Sequence, residues 1–512
     1  MTAMRCHQLL FAVLAIVVQA WTCALPVRAD ELTLAGVFGD HMVLQREKPV
    51  PVWGRAKPSS RVVVEFAGQS RTATADVTGR WRVELDAMPA DAIGRAFVVR
   101  QPDDAAEVKL DDVLVGDVWL CSGQSNMAFR MNRTANAKAE IAAANQPQIR
   151  FLRVTQRFAS APAASSEGTW QAVTPQTAEE CSAVAYYFAR ALREKHDVPI
   201  GLVVSAVGGT RIETWMRRET LVRVGVSDNL LEKWKDVTPD QLAQIDAAYA
   251  AFQHERDVTY WEAVRAAKAA SKPVPPEPKP PAMRPHDCPG TLHNGMIAPL
   301  QPYAVRGVLW YQGEANSGQG ANYEKLLPAL IADWRTAWGE SLPFLFVQLP
   351  PFQGTHPAFR ESQQRIWQST PHTGMVVTLD VGDAKDVHPT QKQPVGERLA
   401  LAARAISYGE AIEYSGPVFN GLTIQGNRAV VSFTHVGAGL VTRGGQLSGF
   451  TIAGADGKFV QAAAIIEGDT VIVTSPDVAK PVAVRYGWAH VPECNLFSKD
   501  GLPAGPFRTD TN

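Results

Sequence analysis

The chain has 512 residues, 46% of them hydrophobic, and sets 50 Lys plus Arg against 51 Asp plus Glu. That length exceeds one ordinary domain and predicts about three. The near-neutral balance, with no basic stripe carrying interleaved aromatics, excludes nucleic acid as a partner and points to a neutral or mildly polar molecule.

The chain opens "MTAMRCHQLLFAVLAIVVQAWTCALPVRAD", with Arg5 before an apolar run and Val27-Arg28-Ala29 before Asp30. This pattern predicts a secretory signal over residues 1–29, cut after Ala29, and an exported chain, periplasmic or secreted. An uncleaved membrane anchor is the alternative, but the run is shorter than the ~20 residues of a spanning helix. No later segment reads as a span, so no membrane partner is expected after cleavage. Cys121, Cys181, Cys288 and Cys494 would then reside where disulfides persist, with pairing left open. Buried free thiols are equally compatible, and Cys121, inside an apolar strand end, favours that reading.

Residues 30–111 read as a small antiparallel β-sandwich. "RVVVEF" is β-rich, and "TGRWRVEL" alternates Trp81, Val83 and Leu85 with Arg80, Arg82 and Glu84. Residues 112–410 differ, because apolar strand-like runs alternate with amphipathic helices, the pattern of a parallel sheet with helices on both faces. The strands are "VLVGDVWL" (113–120), "IGLVVSAV" (200–207), "VRGVLWYQ" (305–312), "FLFVQL" and "GMVVTLD". Helical spacing recurs over 182–195 through Val184, Tyr187, Phe188, Ala191 and Leu192, and again from Leu327 to Trp338, where Gly339 supplies the stop. Thr390 to Gln393 reads as a capping box for the last helix. About 218–288 reads as an insertion, an Ala-rich charged helix followed by the stiff segment "KPVPPEPKPP". Beyond it, residues 411–512 carry short strands with Gly-Asn, Asp-Gly and Pro punctuation, a second β-sandwich.

In an open parallel sheet, ligands and catalytic groups collect at the carboxyl ends of the strands. Ser125, Gly208-Gly209, Gln312 and the pair Asp386 and His388 all fall just past such ends. A serine hydroxyl becomes a useful nucleophile only when a base takes its proton. His388 can serve as that base, and Asp386, two residues earlier in an extended loop, can orient it. Candidate oxyanion donors are the N–H of Ser125, the N–H of Gly208 and the side-chain amide of Gln312. A metal pair at Asp386 and His388 is disfavoured, since no second His or Cys lies at ligand spacing. No cofactor is implied.

The blocks "GDVWLCSGQSNM", "AVGGTRIETWM", "NGMIAPL", "GVLWYQGEAN" and "DVGDAKDVHPTQKQPVGERLALAARA" together resemble the sialate O-acetylesterase-like carbohydrate esterases, a branch of the SGNH hydrolases. "HMVLQREKPVPVWGRA" and "NLFSKDGLPAGPFRTD" extend the likeness over nearly the whole mature chain outside the insertion. The resemblance implies an α/β fold: a flavodoxin-like SGNH hydrolase domain flanked by β-sandwiches. It also implies metal-free removal of acetyl groups from acetylated oligosaccharides or polysaccharides. It assigns Ser125 as nucleophile, His388 as base and Asp386 as its partner, with Ser125, Gly208 and Gln312 at the oxyanion hole. Two departures stand out. Gln312 occupies a position where many SGNH enzymes have asparagine, and the acid precedes the histidine by two residues rather than three, so Asp383 or a main-chain carbonyl can share the orienting role.

The resemblance leaves the sugar open. Acetylated sialic acid would favour a cation near the site, for which Arg211 is a candidate. A plant polysaccharide such as xyloglucan or xylan would favour exposed aromatics, and Trp215, Trp310 and Tyr311 lie near the motifs, although core packing also accounts for them. An inert carbohydrate-binding protein and a lipase or peptidase are the rival readings. The G-x-S-x-G elbow of α/β-hydrolases is absent, the local sequence being Gly123-Gln124-Ser125-Asn126-Met127.

Overall fold

The computed structural model describes residues 31–225 and 228–510, so the expected signal segment lies outside the described residues. Its spine is the strand Ala106–Gly123, whose 18 residues run through two sheets. The front half pairs antiparallel with Asp91–Gln101, and the back half pairs parallel with Ile200–Ala206 and Gly307–Tyr311. The sequence VLVGDVWLCSG explains the change, since its residues are continuously buried, as expected where both faces of a sheet are covered. The boundary expected at residues 111 and 112 therefore falls inside one strand.

The β-rich front is not wholly antiparallel, because Val43–Gln45 runs parallel to the same spine strand. Trp81, Val83 and Leu85 are buried in alternation with exposed neighbours, as a half-buried strand requires. A buried carboxylate stitches this front to the rest. Asp117 accepts hydrogen bonds from Arg46 (3.0 Å), Arg306 (2.6 Å), Gln45 (3.2 Å) and Tyr408 (2.7 Å), and these partners hold it below the usual carboxylate range against the opposing effect of burial.

In space the large sheet runs Trp170–Val173, Gln146–Arg153, Ile200–Ala206, Ala106–Gly123, Gly307–Tyr311, Phe344–Val347 and Thr373–Val376. The first two of these, at one side of the sheet, are absent from the sequence expectation, and the edge strand Trp170–Val173 is antiparallel to its neighbour. Without them the parallel strands follow the order 2-1-3-4-5 of flavodoxin-like open sheets. The chain leaves the spine toward one edge and leaves Gly307–Tyr311 toward the other, so a crevice opens between the carboxyl ends of these neighbours.

Helices cover the sheet. Ala183–Arg193 buries Val184, Tyr187 and Phe188, and Phe188 meets Trp119 edge-on at 4.9 Å. Such an aromatic pair is worth about 1 kcal/mol beyond its burial. Gly320–Trp338 ends where Gly339 adopts φ +71°, a left-handed turn that glycine enters at little cost. The last helix corrects the expected capping box. It spans Gln393–Ser407 with Lys392 at its cap and no side-chain cap, because Pro394 fills its first turn and Lys392 turns inward.

The segment expected as an insertion forms Arg218–Val224, Asp228–Lys233, Pro239–His254 and Tyr260–Ala269, followed by an extended proline-rich stretch. Thr238 and Gln241 make a reciprocal capping box there. Its own core is a satellite of Trp234, Leu242 and Cys288. After Gly409, antiparallel sheets enclose a separate core that includes Phe450, Tyr486 and Phe507. All four described cysteines are free thiols. Among the described residues no helix is long and apolar enough to cross a membrane.

Candidate active site

Ser125 opens a four-residue helix at the end of the spine strand. The turn into it depends on Gly123 at φ +132°, where a Cβ would lie 2.1 Å from the Tyr311 carbonyl oxygen, closer than any side chain could come. The same carbonyl accepts from Gln124 N–H at 2.9 Å, so the neighbouring strand fixes the turn. Ser182 Oγ donates to the Met127 carbonyl at 2.6 Å and secures the far end.

His388 lies in an irregular loop before the last helix. Its Nε2 stands 2.7 Å from Ser125 Oγ, so two residues 263 positions apart are hydrogen-bonding neighbours. Asp386 is less intimate than the sequence suggested. Its Oδ1 accepts from the His388 backbone N–H at 2.8 Å, and stands 3.5 Å from His388 Nδ1. With 60% of its side chain exposed, its attraction for the ring is screened by water. Asp383 accepts from the N–H groups of Lys385 (2.8 Å) and Asp386 (3.1 Å), and these bonds lower its pKa. It shapes the loop through the backbone. Burial lowers the His388 pKa below its ordinary value, opposed by Asp386 and reinforced by Lys392 and Arg133.

Gly208 follows the strand Ile200–Ala206, and a Cβ there would stand 3.2 Å from Ser125 Cβ. Among the described residues, neither the Ser125 N–H nor the Gly208 N–H donates to a protein acceptor. Gln312 is placed differently from the expectation. It is fully buried, its Nε2 donates to Asn316 Oδ1 (2.8 Å) and the Thr210 carbonyl (3.1 Å), and its Oε1 accepts from Tyr323 (2.9 Å). Both amide hydrogens are thus committed to protein acceptors. Asn316 continues the network to the buried Glu213 at 3.0 Å and to the Ile212 N–H. Gln312 therefore braces the turn that carries Gly208.

A cavity of about 570 Å³ opens over Ser125, lined by Ser125, Ala128, Phe129, Arg130, Asn132, Arg133 and Gly208. Arg130 pairs with Glu180 at 2.7 Å, whereas Arg133 is exposed and has no carboxylate partner among the described residues. Arg211, the cation expected near the site, stands 3.6 Å from Asp287 and does not line the cavity. Trp215, Trp310 and Tyr311 are core residues, each no more than 1% exposed. No cluster of three or more His, Cys, Asp or Glu arranged to hold a metal ion occurs among the described residues.

Three residues that sequence reasoning passed over stand beside the pair. Asn126 Nδ2 donates to the Val387 carbonyl at 3.0 Å and to Glu314, and Lys392 Nζ donates to Asn126 Oδ1. Each lay inside a quoted motif.

The profile of a family described as carbohydrate esterase, sialic acid-specific acetylesterase, matches residues 115–269 and 290–405. Sialate O-acetylesterase of Rattus norvegicus is 30% identical over 447 residues, covering 78% of both chains. That of Homo sapiens is 28% identical over 531 residues, covering 92% of this chain and 91% of its own. The crystal structure of a carbohydrate acetylesterase from Xanthomonas citri superposes with a TM-score of 0.79 at 39% identity, over 94% of this chain and all of that one. The protein is a carboxylic ester hydrolase. More particularly, the chain belongs to the carbohydrate esterase family of sialic acid-specific acetylesterases.

Proposed function

We propose that the protein removes acetyl groups from sugar hydroxyls by a serine mechanism of the SGNH type. The observation that carries this reading is the 2.7 Å contact between Ser125 Oγ and His388 Nε2, with Ser125 lining an open cavity. Ser125 Oγ attacks the acetyl carbonyl carbon while His388 Nε2 takes its proton. The resulting oxyanion accepts from the N–H groups of Ser125 and Gly208, each worth about 2.7–4 kcal/mol of barrier if lost. Collapse expels the sugar oxygen, which takes the proton from His388. Water then attacks the acetyl-enzyme by the same path reversed, releasing acetate. Asp386 stabilises the transient imidazolium, Asp383 and Asn126 hold the loop, and Gln312 braces the Gly208 turn. The lowered His388 pKa keeps the base neutral and competent at neutral pH.

For the sugar, Arg133, which lines the cavity with Ser125 and has no carboxylate partner among the described residues, favours a carboxylate-bearing one such as O-acetylated sialic acid, in keeping with the named activity of the mammalian relatives. An acetylated plant glycan such as xyloglucan or xylan is the second reading, within the carbohydrate acetylesterase activity named for the Xanthomonas citri structure. A leader over residues 1–29 would deliver the enzyme to either outside the cytoplasm.

The test is acetate release from 4-nitrophenyl acetate and from a panel of acetylated sialosides, xylo-oligosaccharides and xyloglucan fragments, with Ser125→Ala as control. Turnover that Ser125→Ala abolishes is expected. Undiminished turnover in that variant would falsify the serine mechanism. Steady activity on acyl chains longer than butyrate would favour a lipase instead.

A further inference from the structure

Beside Ser125 and His388 lies a buried cluster whose two charged members, Glu314 and Lys392, take no part in the proposed ester hydrolysis. Three segments supply it: Asn126 from the serine turn, Glu314 from the exit of the strand Gly307–Tyr311, and Lys392 from the start of the last helix. One amide joins them. Asn126 donates to both the Glu314 carboxylate and the Val387 carbonyl, and accepts from Lys392 Nζ. Lys392 is 1% exposed, and its Nζ lies 4.7 Å from the Phe129 ring and 5.4 Å from the Tyr311 ring. The Phe129 ring in turn faces the His388 imidazole, with centroids 6.3 Å apart.

We propose that Lys392, tied through Asn126 to Glu314, is a positioning residue that seats the His388 loop and disfavours the imidazolium form of His388. This rests on the serine reading above.

Packing alone does not account for a lysine here. An ammonium taken out of water is costly unless paired, and a methionine of similar length would fill the space without that cost. Glu314 is an incomplete partner, since its Oε2 is buried with no hydrogen bond of its own among the described residues. The charged groups acting on His388 are Asp386 from its own loop, Arg133 from the turn after the serine helix, and Lys392. Lys392 itself feels Glu314, Asp386 and Arg133. Asp386 and Arg133 are exposed and screened by salt, whereas Lys392 acts through protein and is screened far less.

The titration is consistent with this placement. Burial, opposed by Glu314 and Asp386, lowers Lys392 to about 7, and burial raises Glu314 above its usual value. Below pH 7 Lys392 is therefore predominantly charged, in the range where an imidazole gains its proton. Its positive charge makes that gain less favourable, so the base stays available at lower pH, at some loss of basicity. Removing the charge must raise the His388 pKa and move the acid limb of the rate profile upward.

The test compares the pH dependence of kcat/KM on 4-nitrophenyl acetate for the wild type, Lys392→Arg, Lys392→Gln and the double variant Lys392→Met with Glu314→Gln. The double variant removes both charges together, so no buried ion is stranded, and Lys392→Gln keeps a donor for Asn126 Oδ1. The acid limb is expected to rise by about one pH unit in Lys392→Gln and in the double variant. It is expected to stay at the wild-type position in Lys392→Arg, even with a lower plateau. A plateau that falls in all variants while the limb stays fixed overturns the proposal and leaves Lys392 a packing residue. Ser125→Ala, run alongside, separates the two failures: turnover surviving there sinks the serine reading, whereas an unmoved limb with inactive Ser125→Ala sinks only the role of Lys392.

Discussion

The two ends of the Ser125–His388 contact are built by different means. Ser125 follows the spine strand by two residues, and parallel registers pair that strand's last residue, Gly123, with both Ala206 and Tyr311, positions set by backbone hydrogen bonds in the middle of a buried sheet. His388 sits in a loop with exposed Asp383, Lys385 and Asp386, held by a few side-chain contacts: Asp383, Asp386 and Asn126 to backbone groups, and Lys392 to Asn126. Placement by a ladder is shared over many bonds, so no single side chain controls it. Placement of a loop by a few side chains is open to change at each one. The proposed nucleophile is thus fixed by the fold, and the proposed base is fixed by local chemistry.

The strongest way to sharpen this contrast is His388→Ala, which leaves the fold of the serine end intact and removes the proposed base. A loss of about 10³-fold or more in kcat/KM is expected, with thermal stability within a few degrees of wild type. An activity loss of less than about tenfold would mean that another group takes the serine proton.

Asp386→Asn probes the exposed partner. The 3.5 Å separation and the exposure of Asp386 predict a loss of only about tenfold, far less than for a buried partner. The direction of the pH shift is fixed by charge. Asp386 raises the His388 pKa, so its neutralisation lowers it and moves the acid limb to lower pH, opposite in sign to the shift expected on neutralising Lys392. A limb moving upward in Asp386→Asn would contradict that account.

The smallest effect on catalysis is expected from Leu242→Ala in the satellite core of the insertion. The cavity it leaves costs about 2–5 kcal/mol of local stability, to be read as faster hydrogen exchange or proteolysis within 218–288. The kcat/KM on 4-nitrophenyl acetate is expected to stay within about twofold of wild type, since the lining of the cavity over Ser125 includes no residue of that segment. A large loss of activity would couple the insertion to the cleft.

The same contrast explains what could be read in the sequence. Apolar runs and helical spacing are local, so the parallel strands and the helix over Ala183–Arg193 were legible, as was the rule that chemistry gathers past strand ends. Ser125 and His388 followed from that rule. The strands Gln146–Arg153 and Trp170–Val173 on one side of the sheet are not legible in the sequence. The second packs through Trp170, whose indole donates to the Val37 carbonyl at 2.7 Å, a tertiary contact that no window reveals. The spacing of Thr390 and Gln393 places Lys392 inside a capping box when only the sequence is read. Its inward turn to Asn126, 266 positions away, depends on the assembled sheet. Gln312 was assigned by motif to the oxyanion, while Tyr323, Asn316 and Thr210 engage its amide in the folded chain.

The central claim is that Ser125 is the atom acylated and His388 the group that activates it. The most direct measurement is intact-protein and peptide mass spectrometry after exposure to a fluorophosphonate, with the labelling rate followed against pH. A single adduct on Ser125 is expected, forming at a rate that falls as His388 is protonated and that collapses in His388→Ala. An adduct on any other residue, or full labelling of Ser125 at a pH-independent rate without His388, would contradict the account.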